Sequence, residues 1–125
     1  MESRQLAALV AEYADNKKAE DIKVLDIREL TTMADYFVIC HGNSHPQMKA
    51  ISEEIEDKLK EKDLYPAARE GKDGAYWILM DYADVIVHIF NRESREFYGI
   101  EHLWADAKVI NTEELLQKGS IENEL

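Results

Sequence analysis

The hydrophobic positions near the start of the chain follow a helical period. Apolar side chains recur there at the i, i+3, i+4 and i+7 spacing of an amphipathic helix: Leu6, Leu9, Val10 and Tyr13. This spacing predicts a helix over residues 3–18, with its apolar side packed on the rest of the fold.

Two strand-like runs follow this helix. Residues 22–27 alternate with a period of two, and residues 35–40 are apolar on both faces. The first run predicts a strand with two different faces, and the second predicts a central strand, with residues 29–33 as the connecting loop. Cys40 ends the second run, so we expect it to be a small buried hydrophobe rather than a reactive thiol.

A turn over residues 41–44 leads into a second predicted helix. Ser44 can cap its first turn, Gln47 can reach back to complete a capping box, and Pro46 is tolerated at a helix start. The apolar positions of this helix are Met48, Ile51, Ile55 and Leu59. Residues 64–69 are interrupted by a proline and predict at most an edge strand.

The densest hydrophobic stretch runs over residues 75–107. It predicts a hairpin, with strands at 75–80 and 85–90 joined by a turn at 81–84. The period of two puts Trp77 and Leu79 on one face of the first strand and Tyr76, Ile78 and Met80 on the other. Neither face is polar, so each must be covered by the fold or by a partner. A helical segment follows, carrying Phe97, Tyr98, Ile100, Leu103 and Trp104.

The element order α-β-β-α-β-β-β-α predicts an α/β (α+β) domain, a mixed β-sheet of about five strands flanked by helices. We expect a single domain over residues 1–107. Residues 108–125 are expected to form an acidic, partly disordered tail, with one or two helical turns within residues 111–118.

Charge and cysteine content narrow the function classes. The 15 basic and 26 acidic side chains give a net charge of −11. Direct nucleic-acid recognition is therefore not expected, because phosphate contacts need clustered Lys and Arg. The acidic surface suits a basic protein partner, or serves only solubility. One cysteine permits no internal disulfide, and no apolar run reaches membrane-spanning length, which favours a cytoplasmic protein with no membrane partner.

Three stretches carry a resemblance to a known family. They are W-I-L-M-D-Y-A-D-V-I-V-H-I-F from Trp77, S-R-E-F-Y-x-I-E-x-L-W-A-D-A from Ser94, and A-D-Y-F-V-I-C-x-G-N-S from Ala34. Together they resemble the ribosomal silencing factor (Iojap-type) family, in consistent order over roughly residues 6–107. One departure is Ala83, which stands in the hairpin turn where that family often has glycine, and this leaves the turn type open.

The resemblance implies a non-enzymatic translation regulator. Such factors bind the large ribosomal subunit through universal large-subunit protein fourteen and sterically block joining of the small subunit. The resemblance also points to a homodimer and to a nucleotidyltransferase-like topology, without a cofactor.

That topology leaves an alternative, a degenerate metal-dependent nucleotidyltransferase. The turn Gly42-Asn43-Ser44 before a helix could hold a phosphate on its amides. Such enzymes also need paired carboxylates for two metal ions, and no Asp-x-Asp motif follows Ser44. The nearest strand carboxylates, Asp81 and Asp84, flank the hairpin turn instead. We therefore assign no catalytic residue and no metal ligand.

The histidines do not change this interpretation. His88 and Asp84 are four residues apart on a strand, roughly 13 Å, too far to share a metal. We expect His88 to be a hydrogen-bonded sheet residue. His41 and His45 have no cysteine or carboxylate at a spacing that would complete a zinc site.

The aromatic side chains of residues 75–107 are the remaining functional signal. Tryptophan and tyrosine dominate interface hot spots, although any one of these side chains could instead belong to the core. Acidic residues at 93, 96, 101 and 106 would form a rim around them. The candidate partner-binding residues are Trp77, Tyr82, Tyr98, Glu101, Leu103 and Trp104. A third function class, an oligomeric scaffold, would use the same side chains for self-association only.

Overall fold

The computed structural model describes residues 1–71, 74–113 and 115. Its helices are α1 (Ser3–Asn16), α2 (His45–Lys60), α3 (Arg92–Tyr98) and α4 (Ile100–Leu103). Its strands are β1 (Glu20–Asp26), β2 (Tyr36–Gly42), β3 (Ala68–Glu70), β4 (Trp77–Asp81), β5 (Val85–Asn91) and β6 (Lys108–Ile110). No helix in this part of the chain is long and apolar enough to cross a membrane.

The strands form one mixed sheet in the order β3-β4-β5-β2-β1-β6. The central β2 and β5 run parallel, and every other neighbouring pair is antiparallel. All of β2 is buried, and β5 is buried over residues 85–90. Strands covered on both faces form continuous apolar runs in the sequence, and this pattern predicted residues 35–40 as a central strand. The structure adds β5, predicted only as a hairpin strand, to the centre of the sheet. The predicted mixed sheet with flanking helices is confirmed, with one strand more than expected.

One face of the sheet holds the main core, formed with α1 and α2. Alternate strand residues point into it, Val38 and Cys40 from β2 and Val87 and Ile89 from β5. The four apolar positions predicted for α2 are all buried here: Met48, Ile51, Ile55 and Leu59. Cys40 is fully buried, and burial raises the pKa of its thiol to about 12, which confirms it as a packed hydrophobe.

The opposite face holds a smaller core under α3 and α4. Its buried residues include Phe37, Ile39, Ile86, Phe90 and Ile100. Trp77, Leu79 and Trp104 pack against this core but are only partly buried. The two faces of the sheet are therefore covered unequally, by two long helices on one side and two short ones on the other.

The sheet continues past Ala107, the residue at which the sequence pattern placed the end of the domain. β6 pairs antiparallel with β1, and Ile110 and Leu115 are buried in the main core. The helical turns predicted over residues 111–118 are present at residues 112, 113 and 115. Residue 114 and residues 116–125 lie outside the described residues.

The start of α2 forms much as predicted. Ser44 Oγ accepts a hydrogen bond from the Gln47 backbone N–H at 3.2 Å. The side chain of Gln47 reaches back one residue further than in a capping box, and its Oε1 accepts from Asn43 N at 2.7 Å.

The hairpin turn between β4 and β5 places Ala83 at a φ of 68°, in the left-handed region. Asp81 Oδ1 accepts a hydrogen bond from Ala83 N at 2.7 Å. The Asp81 side chain thus supports a conformation that glycine would adopt without steric cost.

Candidate protein-binding surface

The face of the sheet under the two short helices carries partly exposed aromatic side chains. The Trp77 ring on β4 lies 4.9 Å from the Phe90 ring on β5 and 4.8 Å from the Tyr98 ring on α3. Phe97 packs edge-on against Tyr98. We call the surface made by Trp77, Leu79, Phe97, Tyr98 and Trp104 the aromatic face. Tyr98 is 48% exposed and Phe97 82% exposed, so this surface is accessible in the folded chain.

A buried histidine holds the indole of Trp77 in place. Trp77 Nε1 donates a hydrogen bond to His88 Nδ1 at 3.1 Å, so the proton of the neutral imidazole sits on Nε2. Burial lowers the pKa of His88 from 6.5 to about 4, which keeps the ring neutral at physiological pH. His88 is thus the hydrogen-bonded sheet residue that the sequence predicted.

The helical segment after β5 breaks into two helices at Gly99. Asn91 caps α3, its Oδ1 accepting from Ser94 N at 2.8 Å. Gly99 then adopts a left-handed φ of 55° and ends α3. Ile100 anchors α4 in the smaller core, while Leu103 stays exposed. The Trp104 ring packs edge-on against Phe37 at 5.1 Å.

The structure brings four of the six candidate residues to this side of the domain: Trp77, Tyr98, Leu103 and Trp104. Tyr82 is not among them, because it is buried in the main core on the opposite face of the sheet. That burial raises the pKa of its hydroxyl. The sequence contained a signal for this placement, since Tyr82 shares the alternation of Ile78 and Met80.

Glu101 turns inward instead of forming a free acidic rim. Its Oε1 accepts from Arg95 Nε at 2.6 Å, and its Oε2 lies 3.3 Å from Lys23 Nζ. Burial acts to raise the pKa of Glu101, but the hydrogen bonds from Arg95 and Lys23 hold it below its usual value. A charge reversal at this position would therefore disturb the packing of α4 as well as any encounter with a partner.

Arg95 is the functional candidate that the sequence did not reveal. It is the only described residue of α3 that is buried, and its guanidinium contacts side chains from β2 and α4. A charged side chain in an acidic helical segment carries no hydrophobic period, so nothing local marks it as buried. Its partners come from distant parts of the chain.

The geometry does not favour the nucleotidyltransferase alternative. Gly42 pairs with Asn91 and Asp81 pairs with Ile86, so the glycine turn and the aspartate lie about five strand residues, roughly 17 Å, apart. The carboxylate that reaches the turn is Glu20, which Asn43 and Arg92 already occupy at 2.8 and 3.1 Å. The described residues contain no group of three or more histidine, cysteine, aspartate or glutamate side chains able to hold a metal ion.

The fold and this surface define a mixed α+β domain with a partly exposed aromatic face, a feature of domains that bind other proteins. A family model described as "Ribosomal silencing factor during starvation" matches residues 1–124. The chain belongs to this ribosomal silencing factor family, and the resemblance seen in its motifs is confirmed.

Individual relatives support the same family assignment. The ribosomal silencing factor RsfS of Bacillus subtilis is 43% identical over 107 residues, which cover 86% of this chain and 91% of that protein. RsfS of Halalkalibacterium halodurans is 37% identical over 113 residues, 90% of this chain and 97% of that protein. A crystal structure of a Chromobacterium violaceum protein, 33% identical, superposes with a TM-score of 0.81 and covers 84% of this chain and 88% of its own. Membership supports ribosomal silencing, a form of translation regulation, as the function of this chain.

Proposed function

We propose that this protein docks through its aromatic face on universal large-subunit ribosomal protein fourteen and so prevents the small subunit from joining. The observation that carries the proposal is the partly exposed ring contact between Trp77 and Tyr98 in a chain that belongs to the ribosomal silencing factor family. A domain bound at the subunit interface blocks joining by occupancy alone, so the mechanism requires no chemical step.

The physical character of the aromatic face supports a protein partner. Large aromatic side chains bury much area with little loss of conformational freedom. Trp77 is held by His88 before binding, so little further ordering is needed when a partner arrives. The net charge of −11 would speed encounter with a basic ribosomal protein.

We propose further that the protein is cytoplasmic and self-associates as a homodimer. The free thiol of Cys40 suits a reducing compartment. The family resemblance implies the homodimer, and an isologous contact would use apolar side chains exposed outside the aromatic face, such as Leu103 on α4.

The proposed docking is tested by binding to isolated large subunits. Trp77→Ala and Tyr98→Ala should each weaken binding by about 2 kcal/mol or more, roughly thirtyfold, because each removes a central aromatic contact. Sedimentation of mixed large and small subunits should then show that wild-type protein keeps the subunits apart and that both variants do so less well.

Tyr65→Ala is the matched control, because Tyr65 is a tyrosine 60% exposed that lies outside the aromatic face. It should bind like wild type, and circular dichroism melts should confirm that all variants are folded. If folded Trp77→Ala and Tyr98→Ala both bind and block joining like wild type, the docking site lies elsewhere on the domain.

A further inference from the structure

One buried cation ties the α3–α4 segment to the sheet. Arg95 is only 7% exposed and reaches three other elements. Its Nε donates to Glu101 Oε1 on α4 at 2.6 Å, and its Nη1 lies 2.8 Å from His41 Nδ1 on β2. Its Nη2 lies 3.5 Å from Asp21 Oδ2 on β1.

The contact with Arg95 selects the tautomer of the His41 ring. Guanidinium nitrogens only donate, so His41 Nδ1 must accept and its proton must sit on Nε2. That Nε2 faces Glu20 Oε2 at 3.2 Å, and the same carboxylate oxygen lies 3.1 Å from Arg92 Nη2. The network therefore holds α3 both at its first residue, Arg92, and at its centre.

This network spans the break between the two short helices. Gly99 is left-handed and has no side chain that could fix the angle between α3 and α4. The bond from Arg95 to Glu101 bridges the break directly. Tyr98 and Leu103 lie one on each side of Gly99, so the bond between Arg95 and Glu101 bears on their relative placement.

We propose that Arg95 is a positioning residue for docking: it sets the geometry of the α3–α4 segment, and through it the contact between the Tyr98 and Trp77 rings that the partner recognises. The inference rests on the proposed docking through the aromatic face. Arg95 is buried, so it acts on the partner only through this geometry.

Lysine at this position tests the proposal, because a single ammonium cannot donate in three fixed directions as the guanidinium does. We expect Arg95→Lys to weaken binding to large subunits by about tenfold or more, through loss of a preorganised surface. Glu101→Gln is a milder second variant, which keeps an acceptor for Arg95 but removes the charge. It should shift binding in the same direction by a smaller factor.

A spectroscopic measurement reports the geometry without any partner. The chain has two tryptophans, so in a Trp104→Phe background Trp77 is the only one. Its ring lies 4.8 Å from that of Tyr98. Arg95→Lys should change the emission of Trp77 at temperatures well below unfolding, because Tyr98 no longer covers the indole in the same way.

Arg69→Lys is the matched control. Arg69 on β3 also pairs with a carboxylate and a neighbouring polar group, lying 3.3 Å from Glu56 Oε2 and 3.1 Å from Ser52 Oγ. Both of these partners lie on α2 and not on the aromatic face. It should leave Trp77 emission and subunit binding at wild-type values.

A double-substitution cycle separates positioning from general destabilisation. In a Tyr98→Ala background, Arg95→Lys should cost much less binding than it does in wild type, because the side chain it positions is gone. Equal losses in both backgrounds, or a lower melting temperature with unchanged Trp77 emission and affinity, would overturn the proposal. If wild-type protein does not bind large subunits, the proposed docking fails, and the emission of Arg95→Lys still decides whether Arg95 positions Tyr98.

Discussion

Trp77 combines a packing role with exposure at the aromatic face. Its indole N–H is satisfied inside the protein by His88, so the ring can offer an apolar surface without an unpaired donor. The indole ring also packs against the rings of Phe90 and Tyr98, both at a tilted angle. A side chain fixed this way loses little freedom on binding, which is the property expected of a central interface residue.

The buried His88 makes stability depend on pH. Its pKa is about 4 in the folded chain and 6.5 ordinarily, so the unfolded chain binds the proton more readily between these values. This contribution to stability is complete above pH 6.5 and is lost as the pH falls towards 4.

His88→Asn should remove this pH dependence while keeping an oxygen that can accept from Trp77. We expect wild type to lose up to about 3 kcal/mol more than the variant between neutral pH and pH 4. Denaturant unfolding at a series of pH values measures the difference. His45→Asn, at an exposed ring, is the control and should follow wild type. Parallel pH profiles for wild type and His88→Asn would contradict the assignment.

At the scale of elements, β6 is an edge strand that forms with almost no hydrophobic pattern in its own sequence. It has three residues, of which only Ile110 is buried, and it forms because the open edge of β1 supplies hydrogen-bond partners. Leu115, further along the chain, is buried in the main core. Residues after Ala107 thus stabilise the sheet.

Leu115→Ala should therefore destabilise the fold by about 2–4 kcal/mol, the usual cost of truncating a fully buried leucine. Val109→Ala is the matched control on the neighbouring strand, because Val109 is 60% exposed, and its effect should be within about 0.5 kcal/mol. Urea unfolding measures the free energy of unfolding of both variants. If Leu115→Ala were as stable as Val109→Ala, burial of Leu115 would not contribute to the stability of the core.

At the scale of the whole molecule, the two faces of the sheet are covered to different extents. α1 and α2 bury their face almost completely, whereas α3 and α4 leave Phe97, Tyr98 and Leu103 exposed. An apolar patch of this kind is unusual on a chain with a net charge of −11 unless another molecule covers it.

A second copy is one such molecule, and light scattering tests it. We expect a dimeric mass at tens of micromolar protein, shifted towards the monomer by Leu103→Asp, which places a charge among apolar side chains exposed outside the aromatic face. Glu54→Ala on α2 serves as the control and should leave the mass unchanged. A monomeric wild-type mass at these concentrations would count against the proposed homodimer.

The sequence alone determined the elements whose signal is local. The helical period of α1 and α2, the two-sided apolar runs of β2 and β5, and the Ser44 cap all act within a few residues, so they can be read before folding. The family followed from sequence motifs over residues 34–44, 77–90 and 94–107. The alternation with a period of two also puts Tyr82 and Trp77 on opposite faces of the sheet.

Only the tertiary structure decided which side chains meet across the chain. Arg95 is buried because His41, Asp21 and Glu101 converge on it from three elements, and the same contacts turn Glu101 inward. β6 exists because β1 has a free edge. Burial of a charged side chain and pairing of an edge strand depend on partners distant in sequence, so no local period of hydrophobic residues can predict them.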